Sequence, residues 1–228
     1  MNKHKIDLFI DFTRKYSINI KKISNFIPAF THPSYTKVNK NTTEEDYQKL
    51  EFLGDSLLQF LSSRFLFKKY PNLNEGELTL MRVKLVSTKN LNALSDSIGI
   101  KEFLRTGPGM MHKEVLSSVK VGADVFESFI GALYIDQGLE KVNTFLGQTL
   151  FLTQIDTSKL KDSKTRFQEH IQSFSRTSVT YLTTQEGDEF IAKAIHDNQV
   201  FGEGKGKSKL EAEENAATDA LEKLALNQ

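Results

Sequence analysis

The sequence contains no cysteine among its 228 residues. This absence excludes disulfide scaffolds, cysteine-ligated zinc sites, thiolate clusters and cysteine nucleophiles. Any bound metal ion must therefore be held by oxygen or imidazole ligands. The five histidines are scattered along the chain without the spacing of metal ligands, which leaves carboxylates as the candidate donors.

Long hydrophobic runs are also missing. No segment approaches the roughly 18 consecutive apolar residues that a membrane-spanning helix needs. The N-terminal segment MNKHKIDLFIDF carries Asp7 and Asp11 within its apolar patch and has no cleavage site, unlike a secretory signal. We therefore expect a soluble, cytoplasmic protein without a membrane partner. Apolar residues, including 17 Phe, make up 39% of the chain and suffice for a packed core.

The chain has almost no excess of charge of either sign. Its 30 basic and 29 acidic side chains give a net charge of +1, which taken alone argues against a nucleic-acid-binding protein. The balance is uneven, however, because residues 1–153 carry +4 and residues 162–228 carry −4. Within the acidic segment the positive charge is concentrated at 205–209. Near-neutrality therefore does not exclude nucleic acid.

Helical periodicity dominates the first two-thirds of the sequence, with no convincing strand before residue 175. A long helix is predicted over 42–69, opened by Thr42 with Glu45 in capping-box spacing. Further helices are predicted at about 77–86, 88–98, 117–137 and 139–152. This pattern therefore predicts an all-α domain for the first part of the chain.

The pattern changes after the polar segment 154–161, which we interpret as a linker. A helix is predicted from Asp162, with Phe167, Ile171 and Phe174 on its core side. Three alternating segments follow near 178–185, 189–196 and 199–204, and Ser208 with Glu211 opens a final helix. The sequence thus predicts two domains, an all-α domain at 1–153 and a small α+β domain of order α-β-β-β-α at 162–228.

Two pairs of acids interrupt the apolar helical patterns. Glu51 and Asp55 are four residues apart, and Asp124 and Glu127 are three apart, so each pair projects from one helix face. Acidic pairs are usually solvated, or partners of Lys or Arg on another helix. Burial of unpaired carboxylates is costly, however, and Asp124 and Glu127 are the only charges in the stretch 121–135.

Four carboxylates that share one site suit a hard cation such as Mg²⁺, which prefers oxygen ligands. A bound Mg²⁺ lowers the pKa of water and stabilises charge on the oxygens of a phosphodiester. The acidic pairs therefore favour metal-assisted phosphodiester hydrolysis without a protein nucleophile or a small-molecule cofactor.

At these residues the sequence resembles the ribonuclease III family. The segment QKLEFLGDSLL at 48–58 looks like its most characteristic block, and three further blocks match in order. These are FTHPSY at 30–35, RVKLVS at 82–87 and ADVFESFIGALYID at 123–136. The resemblance covers nearly the whole chain and implies a helical endonuclease domain that cuts double-stranded RNA as a homodimer.

The resemblance also assigns roles to residues in the first domain. It implies a metal site of Glu51, Asp55, Asp124 and Glu127 for Mg²⁺, with Mn²⁺ able to substitute, and marks Asp55 and Glu127 as indispensable for hydrolysis. Gln48, where the family usually has Glu, and Glu75 stand at accessory acidic positions, and Phe52 stands at the dimer contact. The implied products have 5′-phosphate and 3′-hydroxyl ends with short 3′ overhangs, and the implied substrates are ribosomal RNA precursors and structured messages.

The C-terminal segment resembles a double-stranded RNA-binding domain. Its first helix presents a polar face with Thr165, Gln168 and Glu169, which suits the 2′-hydroxyls of an RNA minor groove, although a solvated helix face gives the same pattern. In GEGKGKSK at 202–209 the glycines allow close backbone approach. The predicted RNA contacts of this loop are Lys205, Lys207, Ser208 and Lys209, where the lysines supply charges for phosphates.

A competing interpretation is a non-catalytic duplex-RNA-binding or ribosome-associated protein on the same fold. The Gln at position 48 slightly favours this alternative. The retention of all four acids argues against it, because a binding protein has no need of a hydrolytic metal site.

Overall fold

The structure is a computed structural model that describes residues 3–39, 44–154 and 162–226. The chain divides into two compact units, Met1–Ile155 and Asp156–Gln228. Apart from Gln154, the predicted linker at 154–161 lies outside the described residues. The domain limits at 153 and 162 therefore stay predictions.

The described part of the first unit is built from eight α-helices. They are α1 (Lys3–Lys15), α2 (Pro33–Val38), α3 (Gln48–Lys69), α4 (Glu75–Leu85), α5 (Thr88–Ile98), α6 (Met110–Ser117), α7 (Val119–Gln137) and α8 (Leu139–Gly147). Short 3₁₀ turns lie between them, and one at Leu150–Leu152 follows α8. The helix predicted over 139–152 therefore ends earlier than expected, at Gly147.

Helix α7 forms the centre of this unit and is buried along most of its length. It packs against α3 at two points where a glycine of one helix faces the backbone carbonyl of the other. Gly54 of α3 faces Glu127, and Gly131 of α7 faces Leu50. A cluster of aromatic rings surrounds Phe129 on another side of α7. The close approach of α3 and α7 brings the two acidic pairs into one region.

The predicted start of the long helix at Thr42 is wrong in the part that can be compared. Helix α3 begins at Gln48, and residues 44–46 are not helical. Glu44 pairs with Arg105, and the side chain of Asp46 accepts a hydrogen bond from the backbone amide of Gln48. These contacts hold the segment outside the helix, so Glu45 is no capping-box partner. Thr42 itself lies outside the described residues.

The second unit has the predicted order helix, three strands, helix. Its elements are α9 (Ser163–Gln172), β1 (Thr180–Glu186), β2 (Glu189–His196), β3 (Gln199–Gly206) and α10 (Lys209–Leu226). The strands form one antiparallel sheet in the order β1-β2-β3. A two-residue turn joins β2 to β3, with positive φ at Asp197 and Asn198, as tight hairpins require.

Both helices of this unit pack on one face of the sheet. Their core contains Phe167 and Ile171 of α9, two alanines of β2, and four alanines of α10 at helical spacing. Phe174 was expected in this core, but it follows the last residue of α9 and is 63% exposed. Its position beyond the helix end removes it from the apolar stripe that the helical pattern predicted.

No helix in the described ranges combines the length and the apolar character needed to cross a membrane.

Candidate metal centre and nucleic-acid interface

Three carboxylates converge where α3 and α7 meet. Glu51 projects from α3, and Asp124 and Glu127 project from α7 one turn apart. One carboxylate oxygen from each lies within 4.8 Å of the other two. A cluster of hard oxygen donors at this separation fits a divalent cation such as Mg²⁺. These three residues are therefore candidate ligands of one metal ion.

The fourth predicted ligand, Asp55, lies beside this cluster rather than in it. Asp55 follows Glu51 by one turn of α3, but its side chain is exposed and accepts a hydrogen bond from Gln59. Its negative charge is still close enough to Glu127 to raise the pKa of that residue. Asp55 is thus positioned at the solvent side of the cluster, adjacent to Glu127.

Burial and the repulsion between neighbouring carboxylates raise the pKa of two acids in this cluster. Burial, followed by the charges of Asp55, Asp124 and Glu51, raises the pKa of Glu127 to about 8. Burial and the charge of Asp124 also raise the pKa of Glu51. A divalent cation would offset this repulsion, and the cluster therefore fits a metal electrostatically as well as sterically.

Tyr47 orients one of the acids. It is buried at the residue before α3, and its hydroxyl donates a 3.0 Å hydrogen bond to Oδ2 of Asp124. Its backbone amide donates to the carbonyl oxygen of Thr31 in the FTHPSY segment, which fixes its position. Burial and the neighbouring charge of Asp124 raise the pKa of Tyr47, so the hydroxyl remains a donor. The sequence patterns did not single out Tyr47 and missed this role.

Lys120 is a second residue that the sequence patterns missed. It precedes Asp124 by one turn of α7, and its Nζ lies 2.8 and 2.7 Å from the two carboxylate oxygens of Asp124. The distance from Nζ to Oε1 of Glu51 is 3.7 Å. The alternative interpretation of the acidic pairs had a basic partner on another helix, whereas Lys120 lies on the same helix as Asp124. The i, i+4 spacing of Lys120 and Asp124 was the available signal.

Gln48 and Glu75, at the predicted accessory positions, are not among the three converging carboxylate residues. Gln48 is exposed at the first residue of α3, one turn before Glu51. Glu75 is exposed at the start of α4, where it lines a groove beside Phe60 and Phe67 of α3. On α3 this groove begins at Phe60, about 8 Å along the helix from Asp55, and extends to Phe67, about 18 Å from it. Gln48 therefore lies nearer to the cluster along α3 than most of this groove does.

The polar face of α9 is only partly open to a ligand. Thr165 and Glu169 are exposed, whereas Gln168 is partly buried. The side-chain oxygen of Gln168 accepts a 2.9 Å hydrogen bond from the backbone amide of Val179. Gln168 thus holds the segment before β1, and its oxygen is already engaged within the domain. Its predicted contact with RNA stays a prediction, as do those of its two neighbours.

The predicted basic loop spans the end of β3, a two-residue connection and the start of α10, and its residues Lys205, Lys207, Ser208 and Lys209 are all exposed. The glycines of GEGKGK serve another purpose than close approach to a ligand. Gly202, Gly204 and Gly206 face α10, where an added Cβ would meet its backbone. Strand alternation then places the side chains of residues 203 and 205 on the opposite face.

Ser208 caps α10, as its spacing predicted. The backbone amide of Glu211 donates to Oγ of Ser208 at 3.2 Å, and Oε2 of Glu211 accepts from the amide of Lys207 at 2.8 Å. Lys209 has Glu213 3.9 Å from its Nζ. These contacts fix the backbone that carries the lysines.

Comparisons with known proteins match both units. The Ribonuclease-III-like family model covers residues 25–154, and the double-stranded RNA binding motif covers residues 163–224. Ribonuclease 3 of Mycoplasmopsis synoviae is 39% identical over 227 residues, which are 98% of this chain and 97% of that protein. Ribonuclease 3 of Mycoplasma mobile is 41% identical over 233 residues, with coverage of 98% and 93%.

A solved structure shows the same fold for the first unit. The crystal structure of the nuclease domain of ribonuclease III from Campylobacter jejuni superimposes with a TM-score of 0.56 at 24% identity. The match covers 68% of this chain and 99% of that domain.

Proposed function

The chain belongs to the ribonuclease III family and is an endoribonuclease that joins a nuclease domain to a double-stranded RNA-binding domain, and we propose that it hydrolyses duplex RNA with Mg²⁺. The observation that carries this proposal is the convergence of Glu51, Asp124 and Glu127 from two helices. The family membership argues against the non-catalytic alternative. The proposed products carry 5′-phosphate and 3′-hydroxyl ends with short 3′ overhangs.

In the proposed mechanism Glu51, Asp124 and Glu127 hold the metal. When bound, Mg²⁺ supplies Lewis-acid activation of water and of the phosphodiester. Tyr47 keeps the Asp124 carboxylate in its ligand orientation through the hydrogen bond to Oδ2. Asp55, on the solvent side next to Glu127, would accept a proton from the attacking water as the P–O3′ bond breaks, and the released 3′ oxygen would take a proton from solvent. Hydrolysis then requires no covalent intermediate with the protein.

The proposed RNA contacts divide between two surfaces of the second domain. Lys205, Lys207 and Lys209 supply charge for phosphates from a fixed loop, and Ser208 lies among them. Thr165 and Glu169 provide exposed polar groups on α9, which suits the minor groove of duplex RNA. Gln168 contributes to that surface chiefly by holding the chain at Val179.

We propose that the enzyme acts as a homodimer through the exposed aromatic side of α3. Phe52, Phe60 and Phe67 are 77%, 55% and 72% exposed, and an apolar groove between α3 and α4 lies beside the last two. Exposed aromatic residues in this number mark a partner surface. The related Campylobacter jejuni nuclease domain has a region involved in dimer formation.

A dimer also gives Glu75 an accessory role. Glu75 lines the groove beside Phe60 and Phe67 and is not one of the acids that converge in the cluster of its own chain. A second copy docked on α3 brings this acid toward the site of its partner.

The proposed substrates in the cell are ribosomal RNA precursors and structured messages in the cytoplasm.

The proposed function is tested by sequencing both ends of every product from a defined RNA duplex cut in the presence of Mg²⁺. We expect a cut in each strand, a short offset that leaves 3′ overhangs, and 5′-phosphate with 3′-hydroxyl ends. Cuts confined to one strand, or products with 3′-phosphate ends, would contradict it. Replacement of Mg²⁺ by EDTA provides the control and is expected to stop cleavage while RNA binding persists.

A further inference from the structure

Lys120 covers the acidic cluster from the solvent side. Its side chain is 72% exposed, whereas that of Asp124 is 7% exposed and that of Glu51 is 25% exposed. The ammonium group approaches both oxygens of Asp124 nearly equally, at 2.8 and 2.7 Å. A cation thus already lies on the carboxylate that the proposed function assigns to a metal ion.

The carboxylate oxygens of Asp124 cannot bind an ammonium group and a metal ion strongly at the same time. Each oxygen of Asp124 has two lone pairs, and the ammonium group of Lys120 already engages one of them on each oxygen and draws on the same negative charge that a metal ion would bind. The two cations would in addition repel each other across a few ångströms. Metal binding at Asp124 therefore requires that Lys120 withdraw or weaken its contact.

The side chain of Lys120 is able to withdraw at small cost. It is a flexible four-carbon stem that lies mostly in solvent, so the released ammonium group regains its hydration. Asp124 keeps its orientation after the release, because the hydroxyl of buried Tyr47 still donates to Oδ2. The orientation of the Asp124 carboxylate thus does not depend on Lys120, whereas the occupancy of the site by a metal ion does.

We propose that Lys120 is a resident counter-cation that competes with the divalent metal for Asp124 and so sets the metal concentration at which the site fills. Lys120 is a positioning residue in this account and takes no part in the chemical step. The inference rests on the proposed metal site of Glu51, Asp124 and Glu127. Without metal, Lys120 offsets the mutual repulsion of these three carboxylates and stabilises the contact between α3 and α7.

The test is calorimetric titration of the full chain with Mg²⁺ and with Mn²⁺, for the wild type, Lys120→Met and Lys120→Gln. Since the ammonium group is largely exposed, we expect each variant to bind metal about five- to tenfold more tightly. Thermal unfolding in EDTA is the second readout, and both variants are expected to melt at lower temperature than the wild type. Lys223→Met is the matched control, because Lys223 forms an exposed i, i+4 pair with Asp219 at 2.6 Å in the other unit.

Equal or weaker metal binding by both variants would overturn the competition, provided that the wild type binds metal. Unchanged melting in EDTA would overturn the stabilising role. If neither the wild type nor the variants bind metal, and Glu127→Gln gives the same trace, then the proposed metal site is itself wrong and the inference fails with it. Tighter binding shown by Lys120→Met and Lys120→Gln, but not by Lys223→Met, supports it.

Discussion

Gly54 of α3 lies directly against the backbone carbonyl oxygen of Glu127 in α7, so closely that a Cβ at position 54 would overlap that oxygen. The contact holds the helix of Glu51 and Asp55 against the helix of Asp124 and Glu127. The separation of the two acidic pairs is therefore set by backbone packing, which flexible side chains cannot relax.

Gly54→Ala is expected to destabilise the protein by at least about 3 kcal/mol, because two helix backbones must move apart to admit the methyl group. Chemical denaturation in urea measures this loss. Gly147→Ala is the matched control, because a Cβ at this helical glycine meets nothing within 4 Å. The control is expected to be neutral or slightly stabilising. Equal stability of the two variants would show that the helices do not meet at Gly54.

Metal affinity is expected to rise with pH between 6 and 8. Glu127, with a pKa of about 8, is mostly protonated at pH 6 and must lose its proton to bind metal. The gain is at most about tenfold per pH unit for one proton. Titration calorimetry at several pH values measures it. In Glu127→Gln this dependence should be strongly reduced, and a pH-independent affinity in the wild type would contradict the account.

The same shift predicts how the metal-free protein responds to pH. The pKa of Glu127 is raised in the folded state. Between about pH 4.5 and about pH 8 the folded protein therefore binds more protons at Glu127 than the unfolded chain does. Stability contributed by this group is therefore lost as pH rises through that range. Urea denaturation in EDTA should show the decline in the wild type and a smaller one in Glu127→Gln. A wild-type stability that rises over this range, or a decline of equal size in the variant, would contradict the assignment.

Sequence spacing was sufficient to locate the acids, because residues three and four apart on a helix must share a face. It could not locate their partners in the same way. The hydroxyl contact of Tyr47 with Asp124 spans 77 positions of sequence, so no local spacing could reveal it. Lys120 stands just before the apolar stretch 121–135 and was not singled out, although it lies one helical turn before Asp124.

In the second domain, too, the sequence located the structural elements but not every role of their residues. The alternation of apolar residues gave the strands to within two residues at their ends, and Asp162 and Ser208 marked the starts of both helices. The glycines of GEGKGK were assigned to ligand approach, although they serve the packing of β3 on α10. A glycine needed for tight packing and one needed at a ligand look alike in a single sequence.

Neutralisation of the basic loop is expected to reduce the salt dependence of RNA binding. Changing Lys205, Lys207 and Lys209 to Gln removes up to three phosphate contacts, which lowers the slope of log affinity against log salt by up to about 3. Binding of duplex RNA by the full chain carrying Glu127→Gln measures the slope without cleavage. Lys223→Gln, near the far end of α10, is the control. An unchanged slope in the triple variant would remove the loop from the RNA interface.

Replacement of Phe52 is expected to weaken the dimer. The ring is 77% exposed, and burial of an aromatic side chain at an interface contributes about 2 kcal/mol or more. Phe52→Ala should therefore raise the dimer dissociation constant at least about thirtyfold in sedimentation equilibrium. Leu8→Ala, at an exposed apolar residue of α1, should leave it unchanged. A wild-type chain that is monomeric at all concentrations would contradict the proposed assembly.

The central claim is that the carboxylate cluster performs metal-assisted hydrolysis, and cleavage of a long RNA hairpin with Mg²⁺ by Glu127→Gln tests it most directly. The substitution preserves size but removes a ligand charge, and the rate should fall by about a hundredfold or more. Binding of the hairpin should persist, and Glu140→Gln, at an exposed acid of α8, should cleave like the wild type. Equal cleavage rates for Glu127→Gln and the wild type would contradict the account.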